Sequence, residues 1–181
     1  AAITERSMRG EITEFSDSLK LRVGYLKGLS SRTLEAVFSE RLSLNPGAEK
    51  LINTAKQAGL KTLLVSGGFT FFTERLQEKL GLDAAHANTL GIDPHGNLTG
   101  QVSGRIIDAQ GKADILAEFA ATHGASADQI IAVGDGANDL KMMAMAHYSV
   151  AYRAKPVVRA QANYALNVSP LDGILNWFGG V

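Results

Sequence analysis

The sequence contains no cysteine. Disulfide frameworks, thiol nucleophiles and cysteine-bearing zinc sites are therefore excluded. It also lacks an excess of charge: 18 Lys and Arg offset 18 Asp and Glu, for a net charge of zero. Sequence-independent nucleic-acid binding depends on a basic surface that neutralises phosphates, so nucleic acid is not an expected partner. No apolar run approaches the ~20 residues needed to span a bilayer. No basic-then-apolar signal opens the chain either, so no membrane partner is expected and the expected location is cytoplasmic. The four histidines, His86, His95, His123 and His147, lack metal-ligand spacing and read as surface or structural residues. What remains is ordinary for a globular chain: 181 residues, 45% apolar and 20% charged. That is enough for one core-forming domain, alone or with a small appendage, and it excludes intrinsic disorder.

Glycine is plentiful, at 19 residues. Several glycines stand where apolar runs end in polar residues, at Gly67-Gly68, Gly111, Gly134 and Gly136. Around them the chain divides in two. Residues 1–45 show helical spacing only: a helix tail over Ile3–Met8, then Leu19, Val23 and Leu26 on one face, then Leu34, Val37, Phe38 and Leu42 on another. This part reads as a small helical module. From Asn45-Pro46-Gly47, which reads as a helix start with Asn45 as cap, strands and helices alternate. Lys61–Val65 and Ile130–Val133 read as strands buried on both faces. Tyr148–Tyr152 and Tyr164–Val168 are further strands, and helices are expected at Lys112–His123, Ala137–Ala146 and Pro156–Ala162. Asp93-Pro94-His95-Gly96-Asn97 is a turn signal inside a β-hairpin insertion near 84–108. The alternation predicts an α/β fold, a parallel sheet with helices on both faces.

In such a sheet, ligands bind beyond the carboxyl ends of the strands. Ser66-Gly67-Gly68 ends one strand and leads into a helix. Glycine lets backbone approach a ligand, and a hydroxyl can donate to an anion, so a phosphate cradle competes evenly with a simple capped turn. Gly134-Asp135-Gly136-Ala137-Asn138-Asp139 ends the other strand. Two carboxylates one turn apart, with an amide, suit a hard cation such as Mg²⁺ better than they suit plain helix-start acids. Lys112 opens a helix, where the macrodipole disfavours a cation, which points to a ligand's negative charge. A solvated surface lysine is the competing reading.

Together these segments, with Asp108-Ala109-Gln110-Gly111-Lys112-Ala113 and Ala154-Lys155-Pro156, resemble the phosphoserine phosphatase family of the haloacid dehalogenase superfamily. The resemblance runs upstream through Met8-Arg9-Gly10 and Ser18–Val23, and so covers essentially the whole chain. It implies a Rossmann-like haloacid dehalogenase core over residues 46–181 and a partial helical cap over 1–45. It also implies Mg²⁺-dependent hydrolysis of O-phosphoserine to serine and phosphate through an aspartyl-phosphate, as in L-serine biosynthesis. Residue by residue, Ser66 and Gly67 resemble the phosphoryl-binding motif, and Lys112 the lysine that neutralises phosphate. Asp135 resembles the metal-ligating aspartate, Asp139 its support, and Asn138 a substrate contact. Arg22 resembles the arginine that pairs with the substrate carboxylate, while Met8 and Phe15 resemble apolar cap residues closing over the site. A homodimer is compatible with the resemblance. The Thr13-Glu14-Phe15 stretch is one residue longer than the family spacing, and a larger departure concerns the nucleophile. The nucleophile belongs to an Asp-x-Asp-x-Thr motif on the first core strand, and Asp-x-Asp occurs nowhere in the 181 residues. The expectation is a fragment of a longer enzyme, or a truncated product, that is inactive alone. Two alternatives stand beside it: a phosphatase of another small phosphomonoester, and a non-catalytic phosphate- or metal-binding remnant.

Overall fold

A computed structural model describes residues 15–178. The helix tail expected over Ile3–Met8, and Met8 itself, lie outside the described residues. Two helices come first, α1 (Phe15–Gly24) and α2 (Arg32–Glu40). The 3.6-residue period places Leu19 and Val23 on one face of α1, where both are buried. Their partners are Leu34 of α2 and, from the rest of the chain, Leu90 and Leu98, with Phe15, Phe69 and Phe72 packed alongside. The helices are tied down by backbone as well: Leu98 N–H donates to Leu29 O (2.8 Å) and Ser31 N–H to Gly96 O (2.9 Å).

The next helix, α3 (Ala48–Gln57), begins after Gly47 rather than at Pro46. Gly47 caps it in a left-handed conformation (φ 83°), so Asn45 is not the cap. Only glycine fits there, because a Cβ would stand 2.2 Å from Asp172 Oδ1. Then β1 (Leu63–Phe69), α4 (Thr70–Leu80), β2 (Ala84–Ile92) and β3 (Leu98–Ser103) form one three-stranded sheet in the order β1-β2-β3. β1 and β2 run parallel, and β2 and β3 close the expected hairpin. After α5 (Ala109–Thr122) come β4 (Ile131–Gly134), the short α6 (Leu140–Met143), β5 (Tyr148–Tyr152), α7 (Pro156–Arg159) and β6 (Tyr164–Leu166). These strands form a second sheet, β4-β5-β6, parallel throughout. The α/β fold with parallel sheets is thus as expected. The middle strand of the second sheet is β5, where Val150 and Ala151 are fully buried; burying one such valine is worth about 1.5–3 kcal/mol.

Three local expectations need correction. The first strand does not stop at Val65 and is not buried on both faces; it runs to Phe69 and is half-buried throughout. Ser66-Gly67-Gly68 is an irregularity inside it, where the β1–β2 register shifts between Val65 and Phe69. The strand from Ile131 is likewise only partly covered, with Ile131 itself exposed. In place of a continuous helix over Ala137–Ala146 there is a 3-10 turn, Ala137–Asp139, and the single α-helical turn α6. Asp139 closes the N-terminal side of that turn, its side chain taking up the backbone N–H groups of Asp135 and Gly136.

Candidate active site

The first wall of the site is the Ser66-Gly67-Gly68 segment. Ser66 Oγ accepts a hydrogen bond from Gly68 N–H at 2.9 Å. On the other side of the same peptide, Gly67 O accepts from Asn88 Nδ2 at 3.0 Å, and Gly68 O does so at 3.2 Å. Asn88 Oδ1 accepts from Ile107 N–H at 2.8 Å. The Phe15 ring reaches over this segment: a Cβ on Gly67 would stand 3.1 Å from Phe15 Cζ and 3.9 Å from Asn138 Nδ2. Glycine there allows an apolar ring and an amide from two other parts of the chain to meet the backbone.

The second wall comes from α5 and the turn after β4. Asp108 caps α5, accepting from Gly111 N–H at 2.8 Å. Lys112 therefore sits within the first turn rather than at the helix start, and it is buried, not a solvated surface lysine. Its Nζ donates to Asp139 Oδ1 at 2.6 Å, and side chains on both sides are more than nine-tenths buried. Asp139 Oδ2 accepts from Asp135 N–H and Gly136 N–H, each at 3.1 Å. One carboxylate thus neutralises Lys112 and folds the Gly134–Asp139 turn around itself. An ammonium has three donors; among the described residues only one is used here. Gly134 permits the arrangement, since a Cβ there would stand 2.5 Å from Asp139 Cβ.

The structure brings together Ser66, Gly67, Phe15 and Asn138 on one side, and Lys112, Asp139 and Asp135 on the other; Asn138 bridges them. Asp135 and Asp139 do not both offer free oxygens, because Asp139 is committed to the chain. Asp135 is exposed, and among the described residues only its backbone is hydrogen-bonded: N–H to Asp139, and O from Lys155 N–H at 3.2 Å. No cluster of three or more His, Asp or Glu suited to a metal occurs among the described residues. A single free carboxylate still fits Mg²⁺, which keeps several waters and takes one or two protein carboxylates. Arg22 is exposed near the end of α1, and its Nε donates to Ser18 O at 3.3 Å. All four histidines are exposed. A cavity of about 680 Å³ lies elsewhere, lined by Phe38, Leu42, Pro46 and Leu76 among others. Sequence reasoning missed Asn88. The available signal was an uncharged polar residue between the buried Ala87 and Leu90 in a strand, which must find partners to be tolerated.

Comparison with known proteins gives a consistent result. The haloacid dehalogenase-like hydrolase family matches residues 7–144. A phosphoserine phosphatase from Polaromonas sp. is 50% identical over 179 residues, covering 97% of this chain and 75% of that protein. The unliganded crystal structure of a probable phosphoserine phosphatase from Vibrio cholerae superposes with a TM-score of 0.89 at 46% identity, over 96% of this chain and 53% of that one. A substrate-bound phosphoserine phosphatase complex superposes with a TM-score of 0.88 at 36% identity, over 97% of this chain and 82% of that one. The chain thus spans about half the length of the Vibrio protein and three quarters of the Polaromonas one. Among the described residues no helix is long and apolar enough to cross a membrane.

Proposed function

Because the chain belongs to the haloacid dehalogenase-like hydrolases, we propose that it carries the phosphate- and cation-holding part of a phosphoserine phosphatase. The observation that carries this reading is the buried Lys112–Asp139 pair beside the Ser66–Gly67 segment, with Asp135 left free. In this reading residues 46–181 are the catalytic core and the helices before them a cap. Ser66 Oγ already accepts from Gly68 N–H, which leaves its own proton for a phosphoryl oxygen. The two spare donors of Lys112 stabilise charge on the same group as the bond to the leaving oxygen breaks. Asp139 holds Lys112 in place, Asn138 and Phe15 meet the substrate from the opposite side, and Asp135 would hold Mg²⁺. That ion, when bound, supplies positive charge to the phosphoryl oxygens.

The acceptor of the phosphoryl group is an aspartate carboxylate that this chain does not supply in Asp-x-Asp form. We place it on a strand seated between β1 and β4, which are each the outermost strand of their sheet. Attack by the carboxylate oxygen on phosphorus breaks the bond to the serine oxygen, which takes up a proton. Water then attacks the aspartyl phosphate, releasing inorganic phosphate and restoring the carboxylate.

A second reading, hydrolysis of another small phosphomonoester, is favoured by one observation: Arg22 is exposed and bonded to its own helix. The experiment that separates the two is Arg22→Ala in an enzyme with a complete core. A guanidinium grips a carboxylate in bidentate fashion. For phosphoserine, kcat/KM should fall by about 100-fold, as expected for losing a charged hydrogen-bonded contact of ~3 kcal/mol. A phosphomonoester without the carboxylate should be hydrolysed as before. Equal losses on both substrates would leave Arg22 a structural residue and favour the second reading.

A further inference from the structure

We infer that Asn88 is a positioning residue for phosphate, acting through one peptide plane on the Ser66 hydroxyl; the inference rests on the phosphatase reading above. Asn88 is fully buried on β2, opposite Phe69 of β1. Its amide orientation is unambiguous, because Nδ2 faces two carbonyls and Oδ1 faces an N–H. Both amide hydrogens are used, on Gly67 O and Gly68 O.

The peptide between Gly67 and Gly68 is consequently held at both ends. Its carbonyl is bound by Asn88 and its N–H by Ser66 Oγ. A trans peptide places C=O and N–H on opposite sides. Fixing the carbonyl toward Asn88 therefore aims the N–H at Ser66, and this commits the Ser66 oxygen as an acceptor. Its proton is then free to donate outward. The same amide reaches the second wall. Oδ1 binds Ile107 N–H, immediately before the Asp108 cap of the helix that carries Lys112. One side chain thus sets the Ser66 hydroxyl and the Lys112 ammonium in a common frame. An apolar residue of similar volume would fill the space but leave two carbonyls and an N–H without partners, so the test below separates positioning from stability by its ligand readouts.

The test uses an enzyme with a complete core and two probes, inorganic phosphate measured by calorimetry and L-serine measured as an inhibitor of turnover. Asn88→Ala should weaken phosphate binding by about tenfold or more, the usual effect of losing a residue that orients a ligand-binding group. L-serine inhibition should stay within about twofold, since Asn88 makes no hydrogen bond to Arg22, which the reading above assigns to the serine carboxylate. Combining Asn88→Asp, which keeps the Ile107 acceptor, with Ser66→Ala should weaken phosphate binding no further than the worse single change, because both then act through one hydroxyl. Asn88→Asp keeps the volume and the Ile107 acceptor but loses both donors, and should reproduce the phosphate defect. Equal loss for phosphate and L-serine, or full additivity with Ser66→Ala, overturns the inference. If neither variant folds, the Asn88 side-chain NH₂ resonances of the unmutated enzyme decide: they should shift on saturation with phosphate, and unchanged resonances overturn the inference. An unmutated enzyme that binds phosphate but leaves phosphoserine intact refutes the proposed substrate and leaves the Asn88 test standing.

Discussion

At the scale of single residues, the site depends on one buried ion pair. Lys112 and Asp139 lie 2.6 Å apart with both side chains buried. Removing one partner of such a pair strands a charge, at a cost of about 3–5 kcal/mol. Asp139→Asn should therefore destabilise the protein by roughly 3 kcal/mol in denaturant titrations, while Lys112→Met with Asp139→Asn, which keeps an acceptor for the Asp135 and Gly136 N–H groups, should cost less than the single change. Lys112 was legible in the sequence because a lysine near a helix start opposes the macrodipole. Its partner was not, because the spacing of Asp135 and Asp139 fits a shared cation equally well. A second carboxylate makes a simpler prediction. Asp83 accepts from Thr62 N–H (2.8 Å) and Thr62 Oγ1 (2.9 Å) and pairs with Lys61 (3.0 Å). The Thr62 backbone bond, above all, holds its carboxyl down at about 2. A depressed pKa stabilises the fold above the unfolded-state value near 3.9, and the contribution disappears as pH falls toward about 2. Asp83→Asn should thus cost about 1 kcal/mol at neutral pH, after allowance for solvent screening of a partly exposed group. The two proteins should converge in stability as the pH is lowered through that window.

At the scale of elements, the two glycine-rich segments differ from simple strand-to-helix turns. Ser66-Gly67-Gly68 lies within β1, because α4 starts only at Thr70 and Asn88 holds the intervening carbonyls at sheet distance. Single-strand periodicity carries no trace of a partner strand's side chain, so the elbow looked like the strand's end. The turn after β4 is likewise shaped by one side chain, Asp139, which accepts from Asp135 and Gly136 N–H. The amphipathic elements were easier to read. Leu19 and Val23 of α1 are buried as their spacing implies, and β5 falls where its apolar run begins and ends. Close approach makes the glycines of the turn testable. Gly134→Ala places a methyl 2.5 Å from Asp139 Cβ and should cost about 1–3 kcal/mol by overpacking, with loss of phosphate binding. Gly24→Ala, with nothing within 4 Å and no positive φ, should be neutral or stabilise by up to about 1 kcal/mol in thermal melts.

At the scale of the whole molecule, two three-stranded sheets stand where the alternating pattern suggested one. Alternation of strands and helices was legible because each element carries its own period. The break was not, because strand pairing is decided between distant segments. Among the described residues β1 and β4 are each the outermost strand of their sheet, and the pair Lys112–Asp139 and the approach of Asn138 to Gly67 hold their carboxyl ends together. That arrangement suits one more parallel strand between them, carrying the phosphoryl acceptor. An unpaired backbone group in a buried edge costs about 1–3 kcal/mol, against a total stability of only ~5–15 kcal/mol. The inserted strand should therefore supply fold and chemistry together. The most direct test is to measure phosphate release from phosphoserine by residues 1–181 alone, and again after joining a segment that bears an Asp-x-Asp strand. The account predicts a poorly folded, inactive chain that gains cooperative melting and activity in one step. Release of phosphate from phosphoserine by the 181-residue chain unaided would contradict it.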